Sequence, residues 1–151
     1  MVAIAIPLFI GYLPSIWLRD EPKSDWYKSL KKAPWTPPNW MFPVAWTTIY
    51  ICDGIASFLV YRHGDGFTGK ARYPLIFYAA TIIISTLWKP VFFGWHLIKL
   101  ATAHIVLILL MVVALIIAFA RVYKVAALLL IPYISWMCLA TSVMIYTCIY
   151  N

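Results

Sequence analysis

The sequence predicts an all-α membrane protein, a bundle of five transmembrane helices in which a structured first loop covers a pocket. Its residues are 64% hydrophobic and only 11% charged, which is more apolar surface than a water-soluble core can hide. Five apolar stretches approach the roughly 20 residues that a helix needs to cross a bilayer. The connection between the first two stretches is rich in tryptophan, proline and lysine, so it differs from an ordinary solvated linker.

The whole chain, residues 1–151, is predicted to form one transmembrane domain. The predicted helices lie near residues 2–18, 43–61, 73–97, 101–120 and 125–150, and residues 19–42 form the first loop, which we expect to act as a lid. The first apolar stretch has no basic residues before it, and Leu18 is followed by Arg19-Asp20-Glu21 rather than by small residues. We therefore interpret it as a retained helix and not as a signal peptide.

Proline shapes the first loop. Because proline fixes φ and favours extended geometry in the residue before it, this segment cannot continue either flanking helix. The loop also carries Trp26, Tyr27, Trp35 and Trp40. Two interpretations remain open: an aromatic lid that shields an apolar ligand from water, or an aromatic belt at the membrane interface in which neighbouring lysines contact phosphates.

The second and third predicted helices each carry a charged residue within an apolar stretch. Trp46, Tyr50 and Asp53 recur at helical spacing and share one face, and an ionised aspartate facing lipid is unfavourable by several kcal/mol. Lys89 lies beside Pro90 at a depth similar to that of Asp53. We hypothesise that Asp53 and Lys89 form an ion pair or line one cavity. The alternative is that Lys89 extends outward to the interface while Asp53 is protonated.

The last helix carries a stripe in which a wide ring precedes small residues. Trp136, Ala140 and Val143 share one face just after Pro132. This pattern is consistent with a flat slot for a ligand, but taken alone it is more often a sign of close packing between neighbouring helices.

The residue pattern contains no catalytic or metal-binding arrangement. There is no nucleophile with a base, no carboxylate pair, no phosphate-binding loop and no metal-ligand spacing, so we expect no cofactor and no conventional hydrolytic or transfer chemistry. The net charge of +7 is spread over the loops and helix ends. Acidic lipid headgroups explain this distribution better than a nucleic acid does.

Three separated motifs resemble those of the translocator protein family, also called the tryptophan-rich sensory proteins or peripheral-type benzodiazepine receptors. The first-loop motif is Trp26-Tyr27, Leu30, Lys32, Trp35, Pro37-Pro38, Trp40 and Trp46. Residues 88–94, WKPVFFG, are similar to the motif of the third helix, and Leu129-x-x-Pro132-Tyr133-x-x-Trp136 with Ala140-Thr141 is similar to that of the fifth. The motifs follow in the family's order.

The resemblance implies a multi-pass bundle whose pocket binds cholesterol, porphyrins such as protoporphyrin IX, and benzodiazepine-site drugs. Members of the family are often homodimers, in the outer mitochondrial membrane of eukaryotes or in bacterial cell membranes. Together with the residue patterns, the resemblance gives twelve expected ligand-binding residues: Tyr27, Trp35, Pro38, Trp46, Tyr50, Asp53, Trp88, Lys89, Phe92, Trp136, Ala140 and Val143. Because some bacterial members are proposed to degrade porphyrin in light, Trp46 and Trp136 are also candidates for oxidisable catalytic groups.

The sequence departs from the family pattern in ways that bear on the ligand. Lys89 stands where the family commonly has proline, and it would suit the carboxylates of a porphyrin. The proposed cholesterol-recognition pattern is incomplete, because Val143 and Tyr146 are present without a following Lys or Arg. Three hypotheses follow: a binding and transport protein for porphyrins or sterols, a light- and oxygen-dependent porphyrin-degrading enzyme, and a signalling or scaffold receptor.

Overall fold

All regular secondary structure is helical in the computed structural model, which describes residues 1–151, and this confirms the predicted all-α class. The helices are α1 (Val2–Trp17), α2 (Asp25–Ser29), α3 (Met41–His63), α4 (Arg72–Lys89), α5 (Ile98–Val122), α6 (Lys124–Leu128) and α7 (Ile131–Tyr150). Short 3₁₀ turns occupy Glu21–Lys23 and Gly66–Thr68, and a π-helical turn, Pro90–Gly94, extends α4.

Four helical segments are long and apolar enough to cross a membrane. They are Met41–His63, Arg72–Gly94, Ile98–Val122 and Lys124–Tyr150, and they indicate an integral membrane protein. The first helix, α1, has 16 residues. At about 1.5 Å per residue it is shorter than the roughly 30 Å thickness of the hydrocarbon core.

Two prolines change the helices that the sequence predicts as continuous. The third stretch, predicted to run to residue 97, changes at Pro90 to a π-helical turn, in which the Trp95 N–H donates to the Pro90 carbonyl at 2.9 Å. The last stretch, predicted over 125–150, is interrupted between α6 and α7. Pro132 has no N–H to donate to the preceding turn, and its ring crowds that turn's carbonyl.

The first helix packs unusually closely on α3 because glycines occupy the contact. A Cβ atom added at Gly54 would lie 2.6 Å from the carbonyl oxygen of Ala3. A Cβ atom added at Gly11 would lie 2.0 Å from the ring of Tyr50. The helices contact one another in the order α1, α3, α7, α5, α4 and back to α1, so the α1–α3 contact closes the bundle.

The two ends of the bundle are packed differently. At the end formed by the α3–α4 and α5–α6 connections, Val60, Ala71, Leu115 and Phe119 are fully buried in one apolar cluster. At the end nearer the first loop, a second cluster surrounds an open space. The bundle is therefore solid at one end and hollow at the other.

We expect Gly54→Ala to destabilise the protein by roughly 1–3 kcal/mol, because the new methyl group would overlap the backbone of α1. The matched control is Gly94→Ala, since the nearest atom to a Cβ there is 3.9 Å away. Thermal midpoints measured in detergent test this expectation. Equal midpoints for the two variants would show that α1 does not depend on this close contact.

Candidate functional site

The open space at the first-loop end is a cavity of about 390 Å³. Residues of α1, α3, α4, α5, α7 and the first loop line it. This volume lies within the range of about 300–1,000 Å³ that is usual for small-molecule sites. The cavity is therefore large enough to hold a ligand.

On α3, two aromatic rings form one wall of the cavity. Trp46 and Tyr50 are one helical turn apart, and their rings stack with centroids 5.5 Å apart and an interplanar angle of 28°. The Tyr50 ring in turn lies against the backbone of Gly11 on α1. This wall is consequently held by packing on its outer side and presents flat apolar surface to the cavity.

A second aromatic wall of the cavity comes from α4 and its π-helical turn. Trp88 and Phe92 stack with centroids 5.1 Å apart and an interplanar angle of 14°. The indole N–H of Trp88 donates to the Ala101 carbonyl at 3.0 Å, which fixes the ring. Because a π-helical turn places consecutive residues closer together around the axis than an α-helix does, Phe92 and Phe93 both line the cavity.

The stripe predicted on the last helix faces the cavity. Trp136, Ala140 and Val143 of α7 all line it. The Trp136 ring meets Phe42 edge-on, with centroids 5.3 Å apart. Since alanine has only a methyl group, the space one turn beyond Trp136 stays open as a slot.

The first loop also contributes to the cavity wall. Tyr27, in the short helix α2, lines the cavity together with Lys32, whose ammonium group donates to the Tyr27 carbonyl at 2.6 Å. Burial raises the pKa of the Tyr27 phenol, so this group stays neutral and able to donate a hydrogen bond at physiological pH. Burial lowers the pKa of the Lys32 ammonium group.

Two predicted ligand residues of the first loop lie outside the cavity. Trp35 faces α7, where its indole N–H donates to Ser142 Oγ at 3.1 Å and its ring packs on Tyr146 with centroids 5.5 Å apart. Pro38 is exposed, whereas the neighbouring Pro37 lines the cavity. In extended backbone, successive side chains point to opposite sides, so only one of two adjacent prolines can face inward.

The first loop is attached to the bundle on two sides. On one side, Asn151 at the end of α7 accepts from the Lys31 N–H and donates to the Lys31 carbonyl, both at 3.0 Å. On the other side, the Trp26 ring stacks on His96 with centroids 3.8 Å apart. The His96 ring nitrogen is also 3.7 Å from a carboxylate oxygen of Glu21. These contacts hold the loop beside the mouth of the cavity.

The charged residues of the cavity all have one sign. The lining includes four basic side chains and no Asp or Glu; the basic residues are Arg19, Lys23, Lys32 and Lys89. Lys89 comes from the end of α4, whereas the other three lie in the first loop, and its ammonium group donates to Ser15 Oγ of α1 at 2.5 Å. The cavity therefore combines flat apolar walls with positive charge, which favours a ligand that is flat, apolar and anionic.

The hypothesis that Asp53 and Lys89 form an ion pair or line one cavity is wrong. Asp53 is 1% exposed, lies outside the cavity, and has no hydrogen-bond partner for either carboxylate oxygen. Lys89 instead contacts Ser15 of α1 within the cavity wall, so the alternative of a lysine extended outward to the interface is also wrong. Asp53 lies in the middle of α3, whereas Lys89 is the last residue of α4, so counting residues along the predicted helices does not place the two side chains together.

Sequence reasoning missed the contribution of α1. Tyr12 and Ser15 of this helix line the cavity. The Tyr12 hydroxyl shares a hydrogen bond with the Thr47 hydroxyl at 2.5 Å, which links α1 to α3. A signal was present, because Gly11 and Ser15 are one turn apart in an otherwise apolar stretch and mark the side of the helix that approaches its neighbours.

Comparisons with known proteins give one consistent match. The model of the TspO/MBR family matches residues 3–149. Protein CrtK of Rhodobacter capsulatus is 40% identical over 116 residues, which are 76% of this chain and 71% of that protein. The translocator protein of Ovis aries is 35% identical over 130 residues (86% and 76%), and the tryptophan-rich sensory protein of Cereibacter sphaeroides is 39% identical over 118 residues (78% and 72%).

The separation of Asp53 from Lys89 can be tested with a double-mutant cycle of Asp53→Asn and Lys89→Met. Because the side chains do not contact each other, we expect their effects on the free energy of unfolding to add within about 0.5 kcal/mol. A denaturing-detergent titration measures these free energies. The positive control is the cycle of Ser85→Ala and Tyr133→Phe, whose hydroxyls are 2.5 Å apart and should couple by about 1 kcal/mol. A comparable coupling energy between Asp53 and Lys89 would show that the two side chains interact and would contradict their separation.

Proposed function

The chain belongs to the TspO/MBR family, and from this premise we propose that it binds and carries flat, apolar, anionic ligands within the membrane, porphyrins such as protoporphyrin IX first among them. The observation that carries the proposal is the charge of the cavity, which has four basic side chains and no acidic one in its lining. Protoporphyrin IX joins an apolar macrocycle to two carboxylates. A sterol offers a single hydroxyl and leaves these cations without an anionic partner.

The aromatic walls support a planar ligand. Trp46 and Trp136 both line the cavity, and we propose that each stacks on the macrocycle, an arrangement that adds about 0.5–1.5 kcal/mol beyond the area that is buried. Ala140 leaves room for an edge of the ring next to Trp136. In this proposal the pocket residues are Tyr27, Trp46, Tyr50, Trp88, Lys89, Phe92, Trp136, Ala140 and Val143, all of which line the cavity.

Lys89 is the residue that we assign to a ligand carboxylate. Its ammonium group has three N–H donors, of which Ser15 accepts one, so two remain for a carboxylate. Hydrogen bonds between ionised groups are about twice as strong as neutral ones. Arg19 and Lys32, which belong to the first loop, are available to a second carboxylate.

Sterols and benzodiazepine-site drugs are weaker candidates for the same cavity. Both would use its apolar walls without using its cations. The incomplete sterol-recognition pattern around Val143 and Tyr146 gives cholesterol no additional support. We therefore place porphyrins ahead of both ligand classes.

The proposal includes α1 as a fifth membrane-spanning helix and the first loop as the cover of the cavity. Packing of α1 against α3 and α4 supports the first point, as do the exposed apolar side chains of Phe9, Ile16 and Trp17 on its outer side. The attachments of Lys31 and Trp26 described above support the second.

We also propose that the protein assembles as a homodimer in the membrane. Leu107, Leu110 and Ile117 of α5 are exposed and lie along one side of the longest apolar helix. Such a stripe is suited to a second copy of the chain as well as to lipid.

We expect Lys89→Met to weaken binding of protoporphyrin IX about tenfold, because a charge-assisted hydrogen bond contributes roughly 1.5 kcal/mol or more. Titrations in the dark that follow tryptophan quenching measure the affinity. The dimethyl ester of protoporphyrin IX should bind both proteins alike, since it has no carboxylate. The matched control is Lys99→Met, which removes an exposed lysine outside the cavity. Equal affinity of the parent protein and Lys89→Met for the free acid would contradict the assignment.

A second candidate function is light-driven degradation of porphyrin with molecular oxygen as the oxidant. The observation that favours it is that two oxidisable indoles, Trp46 and Trp136, line the same cavity. If this function holds, illumination in air should bleach bound porphyrin and produce a new chromophore, and Trp136→Phe should slow the loss at least tenfold while binding in the dark persists. A stable porphyrin spectrum under illumination would leave the carrier function alone.

A further inference from the structure

A second groove lies on the outside of the bundle, at the end opposite the first loop. It has a volume of about 460 Å³ and runs between the start of α4 and the end of α5. Nothing in the ligand cavity contributes to it, because the two sites share no lining residue. Its function is therefore a separate question.

The floor and sides of this groove are apolar. Tyr73 and Phe77 are one turn apart on α4, and Ala118 and Val122 are one turn apart on α5. Their sequence neighbours point the other way, into the core, as the buried ring of Phe119 shows. The groove consequently opens toward the lipid, and the small side chain of Ala118 leaves space between the two helices.

Basic residues stand at the end of the groove that meets the membrane surface. Lys70 precedes α4 and Arg121 lies in the last turn of α5, and both line the groove, which has no acidic residue. Arg72 lies beside them, with its guanidinium 5.8 Å from the centroid of the Tyr73 ring. An apolar slot that ends in two exposed cations at a helix end matches the shape and charge of an anionic lipid.

We propose that this groove is a binding site for one anionic phospholipid, with the phosphate between Lys70 and Arg121 and an acyl chain along Phe77 and Ala118. A zwitterionic lipid would bring a cationic headgroup to the same two cations and lose most of their attraction. In a dimer with two-fold symmetry, the same surface of both copies forms the interface. The basic residues of one copy would then lie close to those of the other and repel them. Charge thus selects the anionic lipid over both of these occupants.

Native mass spectrometry of the detergent-purified protein tests the proposal by counting bound lipids. We expect the first phosphatidylglycerol to bind about 25-fold more tightly than the first phosphatidylcholine, because each of the two basic residues near the surface contributes about fivefold. The double variant K70Q/R121Q should lose this preference. The matched control K28Q/K99Q removes the same charge from exposed positions at the other end of the bundle and should keep it.

A second variant distinguishes lipid binding in the groove from attraction to the surface charge alone. Ala118→Trp fills the slot and retains both cations, so it too should weaken phosphatidylglycerol binding about tenfold. Equal affinities for the two lipids, equal losses in K70Q/R121Q and K28Q/K99Q, or full binding by Ala118→Trp would each overturn the proposal. So would a dimer that dissociates in K70Q/R121Q with no change in lipid binding, because the groove would then hold a second copy. Porphyrin binding should be unchanged in every variant, which keeps this test independent of the ligand cavity.

Discussion

The close contact between α1 and α3 is the constraint on which the cavity depends. Gly11 and Gly54 let the two backbones approach more closely than a side chain at either position would permit. That approach closes the bundle and places Ser15 where it accepts a hydrogen bond from Lys89. The orientation of the Lys89 side chain in the cavity therefore rests on two positions that have no side chain at all.

The sequence predicts much of this molecule and fails at identifiable points. Composition and apolar length predict the helical membrane class, because a chain this apolar can satisfy its backbone in lipid only by internal hydrogen bonds. Trp46, Trp88 and Trp136, which helical spacing and the family motifs single out, all line one cavity. They do so because large rings at fixed positions along a helix constrain its rotation.

The incorrect predictions concern the direction in which side chains point more than the position of residues along the helices. Counting residues gives the depth of Asp53 but not the side of the bundle to which its carboxyl group points. In the first loop, no helical period exists to tell that Pro37 faces inward and Trp35 faces α7. Likewise, the part played by α1 depends on a partner helix, and that partner is fixed only by the three-dimensional packing.

The contrast between a hollow and a solid half restricts how any cargo can move. Val60, Leu115 and Phe119 are fully buried at the far end, so no passage continues from the cavity through the bundle. The cavity therefore ends inside the bundle, and the first loop lies beside its mouth. Under the carrier function that we propose, a cavity that ends inside the bundle suits a shuttle or a reservoir rather than a pore.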